Sequence, residues 1–235
     1  KKENLSVIGV LDGRSKESVE YFLNSIPSDL KKTVQAVCTD MYDGFLNAAT
    51  NVFGSKVVVI DRYHVAKLYR EPLNKLRIAE MKRLKQELPA EEYAKLEGVM
   101  WILRKKHECL SAIEKDVLVL LYEYSPVLKQ AHSYALKLTH ILNTHSNRKL
   151  GLAKLDRWIT AVHKSDLSCF DKFIGTLEKY KPYIANYFKK RKNSGFVEGL
   201  NNKIKVAKRR CYGFFKTESL FQRLYLDLKG YQMIA

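Results

Sequence analysis

The sequence predicts an α/β protein dominated by helices, with a small sheet and a large helical insertion. Three observations carry this. Short β-branched runs alternate with helical periodicity over the first 64 residues. Strand signals then cease from about Val65 to Tyr187, where amphipathic patterns succeed one another. A final basic tract is patterned as helix again. The expected organisation is residues 1–64 as the α/β portion, 65–190 as an all-helical insertion, and 191–235 as a C-terminal helical return.

In chain order, "LSVIGVLDG" is apolar and β-branched and predicts a strand ending at a turn. Ser15 is placed to cap a helix on which Val19, Phe22, Leu23 and Ile26 recur at helical spacing. Ser18 stands where a capping box wants Glu or Gln, so the box is incomplete. "VQAVCTD" and "KVVVID" predict short buried strands around the helical "MYDGFLNAATNVF". In the insertion, Val65, Leu68, Leu76 and Leu84 share one broad stripe. Pro89 with Glu91 and Glu92 opens the next helix. Ser111 can cap "AIEKDVLVLLYEY", and Pro126 interrupts or restarts it. The segments from Lys149 and from Ser168 are amphipathic, giving about four to six helices in all. No repeat or low-complexity linker is present.

With 235 residues, 46% hydrophobic and 11% aromatic, the chain can bury a core and does not read as disordered. Lys and Arg number 42 against 25 Asp and Glu, a net charge of +17. That excess predicts an anionic partner, nucleic acid before acidic membrane. No apolar run reaches the roughly 18 residues of a membrane span, and no signal peptide opens the chain. Cys38, Cys109, Cys169 and Cys211 form no CxxC pair and read as reduced thiols of a cytoplasmic protein.

Three segments hold candidate chemistry. Asp40 stands just past an apolar strand, where ligands gather in open α/β sheets. A carboxylate there can hold a divalent metal or can cap a helix. Asp43, nearby, is expected to face solvent in the first helical turn. Asp61 also ends a strand, with His64 one helical turn on. The pair suits two metal ligands, or equally a cap and an imidazole bonded to each other; Cys38 is too isolated to complete a zinc set. The third segment lies in the basic tract. From Lys181 to Lys216 there are eleven Lys or Arg and one acid, Glu198. As a helix, this stretch puts Phe196, Val197, Leu200 and Ile204 on one face. Glu198 lies off that face, with Asn201, Asn202 and Lys205 at i+3, i+4 and i+7. It reads either as a surface acid relieving repulsion or as a metal-binding carboxylate within a phosphate-binding surface.

The segments "CTDMYDGFLNAA", "VVIDRYHVAKL" and above all "SGFVEGLNNKIKVAKRRCYGF" resemble transposases of the IS-L-three family of bacterial insertion sequences, from about Leu5 to Leu228. The resemblance implies a DDE catalytic domain on a ribonuclease H-like fold. Asp40 matches the family's second catalytic acid and Glu198 its third, with a helical insertion between them spanning 198 − 40 = 158 residues. Asp61 and His64 match the family's D-x-x-H, where they would order the site from behind the metal ligands, as would Asn202. The family's first Asp lies in a D-E pair two strands upstream of "LSVIGVLDGR". Asp12 precedes Asp40 by only 40 − 12 = 28 residues, too few for the two further strands expected between the first two acids. The expectation is that the first Asp, the first two strands and any N-terminal DNA-binding domain are absent, and that this chain alone is inactive.

The implied chemistry is metal-dependent DNA cleavage and strand transfer, with two Mg²⁺ (or Mn²⁺) ions about 4 Å apart. Lys203, Lys205, Lys208, Arg209 and Arg210 would hold phosphates of double-stranded DNA, at transposon ends and target, with Tyr212 stacking. A homodimer is open to such a chain, whose sequence leaves the oligomeric state undetermined, and a cytoplasmic, nucleoid-associated location is expected. Two other readings stay open: a non-catalytic basic module that binds nucleic acid, and a nuclease on the same fold that hydrolyses without joining.

Overall fold

The structure, a computed structural model, describes residues 7–144, 146–190, 195–210 and 216–234; the side chains of residues 190, 195–198 and 229–234 lie outside that description. The order begins α1 (Lys16–Ser25), α2 (Ser28–Thr33), β1 (Val37–Thr39), α3 (Asp43–Phe53), β2 (Val58–Ile60) and α4 (Arg62–Glu87). It continues with α5 (Ala90–Ala94), α6 (Val99–Ile102), α7 (Ala112–Tyr124), α8 (Pro126–Asn143), α9 (Arg148–His163) and α10 (Asp171–Lys190). It ends with α11 (Gly195–Arg210) and α12 (Thr217–Ile234). The chain divides into two compact units, Lys1–Val59 with Lys192–Ala235, and Ile60–Arg191.

In the first unit β1 and β2 form a two-stranded parallel sheet joined through α3. Parallel strands need such a crossover, because a hairpin cannot connect them. Gly54 ends α3 with φ at 80°, a left-handed conformation that glycine adopts without a Cβ clash. Its amide donates to the Thr50 carbonyl at 2.9 Å, and the chain turns directly into β2. Helix α1 packs along α3. Ser15 caps α1 by accepting from the Ser18 amide at 3.1 Å, and the two hydroxyls lie 3.0 Å apart. So Ser18 supplies a hydroxyl contact where the sequence lacked a box carboxylate.

The strand expected in "LSVIGVLDG" does not form over residues 7–11; Leu5 and Ser6 lie outside the described residues. A strand exists only through its ladder, and among the described residues this segment pairs with neither β1 nor β2. The extended segment instead lies on α1, where a Cβ at Gly9 would stand 2.6 Å from the Phe22 ring. Helix α2 was not anticipated.

In the second unit every regular element from Arg62 to Lys190 is helical among the described residues. There are seven α-helices rather than four to six, because α5 and α6 are single turns that carry too little periodicity to be seen. Ser111 and Glu114 complete a capping box on α7, and Pro126 restarts the chain as the first residue of α8. Helix α4 packs on α8 and α10, and α9 packs on the same two, so four long helices close a ring. Trp158 is 4% exposed and meets Phe170, Phe173 and Tyr134 edge-on. Its indole N–H donates to the Tyr134 carbonyl at 2.9 Å, so burial leaves no orphan donor. Elsewhere His132 and Tyr122 share a hydrogen bond of 2.6 Å between Nδ1 and the phenol oxygen. Burial pushes the Tyr122 phenol up to about 12 and the His132 imidazole down, so both are neutral at pH 7.

A polar junction ties α4 to the α7–α8 turn. The Glu80 carboxylate accepts from Arg83 at 2.8 Å and from the Ser125 hydroxyl at 2.6 Å, while Arg83 also donates to the Tyr124 carbonyl at 3.0 Å. The Arg83 hydrogen bond holds the Glu80 carboxyl below its ordinary value of 4.5. A depressed carboxyl stabilises the fold fully above its unfolded pKa, and that contribution is lost as pH falls through the folded value. The stability advantage of wild type over Glu80→Gln is therefore expected to be constant at neutral pH and to shrink below pH 4.5. Urea midpoints of both proteins from pH 7 to pH 3 check this; a gap independent of pH rules the linkage out.

Candidate functional site

Asp40 and Asp61 occupy the same local position with different outcomes. Each follows a strand, and each carboxylate Oδ1 accepts from the backbone amide two residues on, Tyr42 and Tyr63, both at 3.1 Å. After β2 the helix starts at once. Asp61 is the N-cap of α4 and is 4% exposed. After β1 the helix starts later, at Asp43, with Tyr42 as its N-cap and no side-chain cap bond. Asp40 therefore stands two residues ahead of the cap and is not a helix cap. It is half-buried, and its second carboxylate oxygen has no hydrogen bond among the described residues. Asp43 is exposed in the first turn, as expected. His64 is half-buried in the first turn of α4, with its ring edge-on to Tyr63 at 5.7 Å.

The turn after Asp40 is pinned by its tyrosine. The Arg14 guanidinium lies 4.2 Å above the Tyr42 ring, and Phe45 meets that ring edge-on at 5.0 Å. A Cβ at Gly44 would stand 2.6 Å from the ring, so glycine makes room for it. Arg14 was not singled out in the sequence. Asp12 accepts a hydrogen bond from the Thr217 hydroxyl at the start of α12.

Glu198 lies in the backbone of α11, which belongs to the same compact unit as Asp40. Its side chain is outside the described residues, as is Tyr212. Along α11, Leu200, Ile204 and Ala207 are covered while Asn201, Asn202, Lys205, Lys208, Arg209 and Arg210 are exposed. Lys203 differs from the other cations: it is half-buried and donates to the Asp227 carbonyl of α12 at 2.8 Å. Among the described residues no group of three or more His, Cys, Asp or Glu converges as a metal site. Cys38, Cys109 and Cys169 carry thiols rather than disulfides. No helix of the described residues is long and apolar enough to cross a membrane.

Fold and site together describe a helix-dominated α/β protein with a strand-end carboxylate and an exposed cationic helix. Residues 1–224 match the family of IS-L-three DDE proteins described as "Transposase", and the chain belongs to that family. It is 25% identical over 225 residues to the transposase for insertion sequence element IS1001 from Bordetella parapertussis, covering 95% of this chain. The chain spans about half, 55%, of that relative's length. No solved structure matches.

The two aspartates are expected to separate on substitution. Asp61→Ala removes a cap and should cost about 0.5–2 kcal/mol. Asp40→Asn keeps the acceptor oxygen for the Tyr42 amide and should leave stability within about 0.5 kcal/mol. Equal losses in urea unfolding would show that Asp40 is as structural as Asp61.

Proposed function

We propose that this chain is the catalytic portion of a DNA transposase on a ribonuclease H-like fold, cleaving and joining DNA with a divalent metal. The family match over residues 1–224 carries the reading. Asp40 supports it from the structure: its position past a parallel strand and its uncommitted oxygen suit a metal ligand rather than a cap. Carboxylate oxygens are the donors that Mg²⁺ and Mn²⁺ favour. Asp40 and Glu198 would hold the metal, which when bound supplies Lewis-acid polarisation of the scissile phosphate.

The other residues position the site and the DNA. The Tyr42 amide fixes one oxygen of Asp40 and leaves the other to coordinate. Arg14 and Gly44 hold the Tyr42 ring and thereby that amide. Asp61 caps the first turn of α4, and His64 stands in the same turn. Asn202 is exposed one turn beyond Glu198 in the register of α11. Lys205, Lys208, Arg209 and Arg210 would contact backbone phosphates of double-stranded DNA. Lys203 instead secures α11 to α12.

On this reading the family's first acid is not among residues 1–235, where no D-E pair occurs, and Asp12 accepts from the Thr217 hydroxyl. This chain alone is therefore expected to bind duplex DNA without cleaving it. Binding should weaken with salt at a log–log slope of about −0.9 per phosphate neutralised, and Lys205→Ala with Arg209→Ala should flatten the slope by about two such contacts. In a transposase carrying the complete DDE set, Asp40→Asn or Glu198→Gln should abolish strand transfer while DNA affinity holds. Cleavage by this chain that Glu198→Gln abolishes would contradict the missing acid. Strand transfer surviving both substitutions would contradict the catalytic assignment itself.

A further inference from the structure

Helices α8 and α9 together carry six Lys or Arg and a single acid, Asp156. Between them lies an open groove of about 550 Å³. Its apolar floor is lined chiefly by Tyr134, Leu136 and Ile141 with a small part of the nearly buried Trp158, and Lys137, Lys154 and Arg157 line it as well. The exposed lining is overwhelmingly apolar despite these cations, because their stems cover the walls. None of the three forms an ion pair with an acid among the described residues. Lys137 instead holds its ammonium 5.1 Å from the Tyr134 ring centroid. Arg157 commits only Nε, to the Ala153 carbonyl at 3.2 Å, which leaves its terminal nitrogens. Asp156, the one acid on either helix, is taken by Lys181 at 2.7 Å.

We infer that this groove receives an unpaired nucleotide of a nucleic-acid strand, with the base on the apolar floor and the flanking phosphates on the lining cations. The inference rests on the reading of the chain as acting on nucleic acid. Duplex DNA presents phosphates and polar groove edges, and its apolar base faces are stacked away inside. An apolar floor gains nothing from that surface. A displaced or single-stranded base exposes a flat apolar face beside an anionic phosphate, which is the pairing of surfaces the groove offers. The volume lies within the range of small-ligand clefts, enough for one nucleotide. The floor is also rigid: the Tyr134 hydroxyl donates to the Ala161 carbonyl at 2.9 Å, so α8 and α9 are tied across it.

The test uses this chain and two DNA probes, a blunt duplex and the same duplex bearing a short single-stranded overhang labelled with 2-aminopurine. The overhang probe is expected to bind about tenfold tighter than the blunt one, with its fluorescence quenched as the labelled base stacks. Lys137→Ala with Arg157→Ala, both at exposed positions, should remove the tenfold advantage and the quenching while far-UV dichroism and blunt-duplex affinity stay unchanged. Lys205→Ala with Arg209→Ala should weaken both probes equally, which separates the groove from the proposed duplex surface. If that second variant has no effect while overhang selectivity persists, the duplex reading fails and the groove stands. Equal affinity for the two probes overturns the inference. So does an advantage that survives the groove variant, or displacement of the overhang by polyglutamate as readily as by unlabelled single strand.

Discussion

An aspartate carboxylate that captures the amide two residues ahead governs how the chain leaves each strand. A chain turning from strand to helix exposes backbone N–H groups with no partner in either element. At β2 the capture coincides with the helix start, so Asp61 is buried and spent as a cap. At β1 the helix starts two residues later, and the same capture leaves Asp40 half-buried with an oxygen to spare. Two identical side chains in equivalent positions thus acquire different chemistry from a small offset in where the helix begins.

That offset explains what could be read in advance. Signals that depend only on neighbours along the chain were legible: Ser15 and Ser111 cap their helices and Pro126 restarts one, as their local patterns imply. The long amphipathic helices were legible for the same reason. The distinction between Asp40 and Asp61 was not, because it turns on a helix boundary, the least determined feature of a local pattern. The apolar run at the start of the chain failed differently. Its residues favour a strand, but a strand exists only through a partner along the chain, and among the described residues this run has none. Arg14 above Tyr42 and the cations around the α8–α9 groove are likewise products of tertiary placement.

Trp158 links stability to surface in the helical unit. Its ring is held edge-on by Phe170 and Phe173 and by the bond from its indole N–H to the Tyr134 carbonyl. A small part of the same residue lines the α8–α9 groove. A ligand of that groove would meet walls already fixed by packing, which lowers the ordering entropy of binding.

Charge is sorted along the fold rather than spread over it. Ten of the 25 acids lie between Arg62 and Tyr124, where Glu71, Glu80, Glu87, Glu92 and Glu114 are each paired with a nearby Lys or Arg. Helices α8 and α9 together hold one acid, and α11 holds one. The excess of +17 is therefore concentrated after Tyr124, where 22 Lys and Arg stand against 7 Asp and Glu. Exposed pairs contribute little to stability, so removing acids from these helices costs the fold little. What it leaves is uncompensated positive potential, which attracts polyanions at long range and orders them at contact. Lys203 marks the limit of that sorting: on α11, with five Lys or Arg against one acid, this cation is used to hold two helices together.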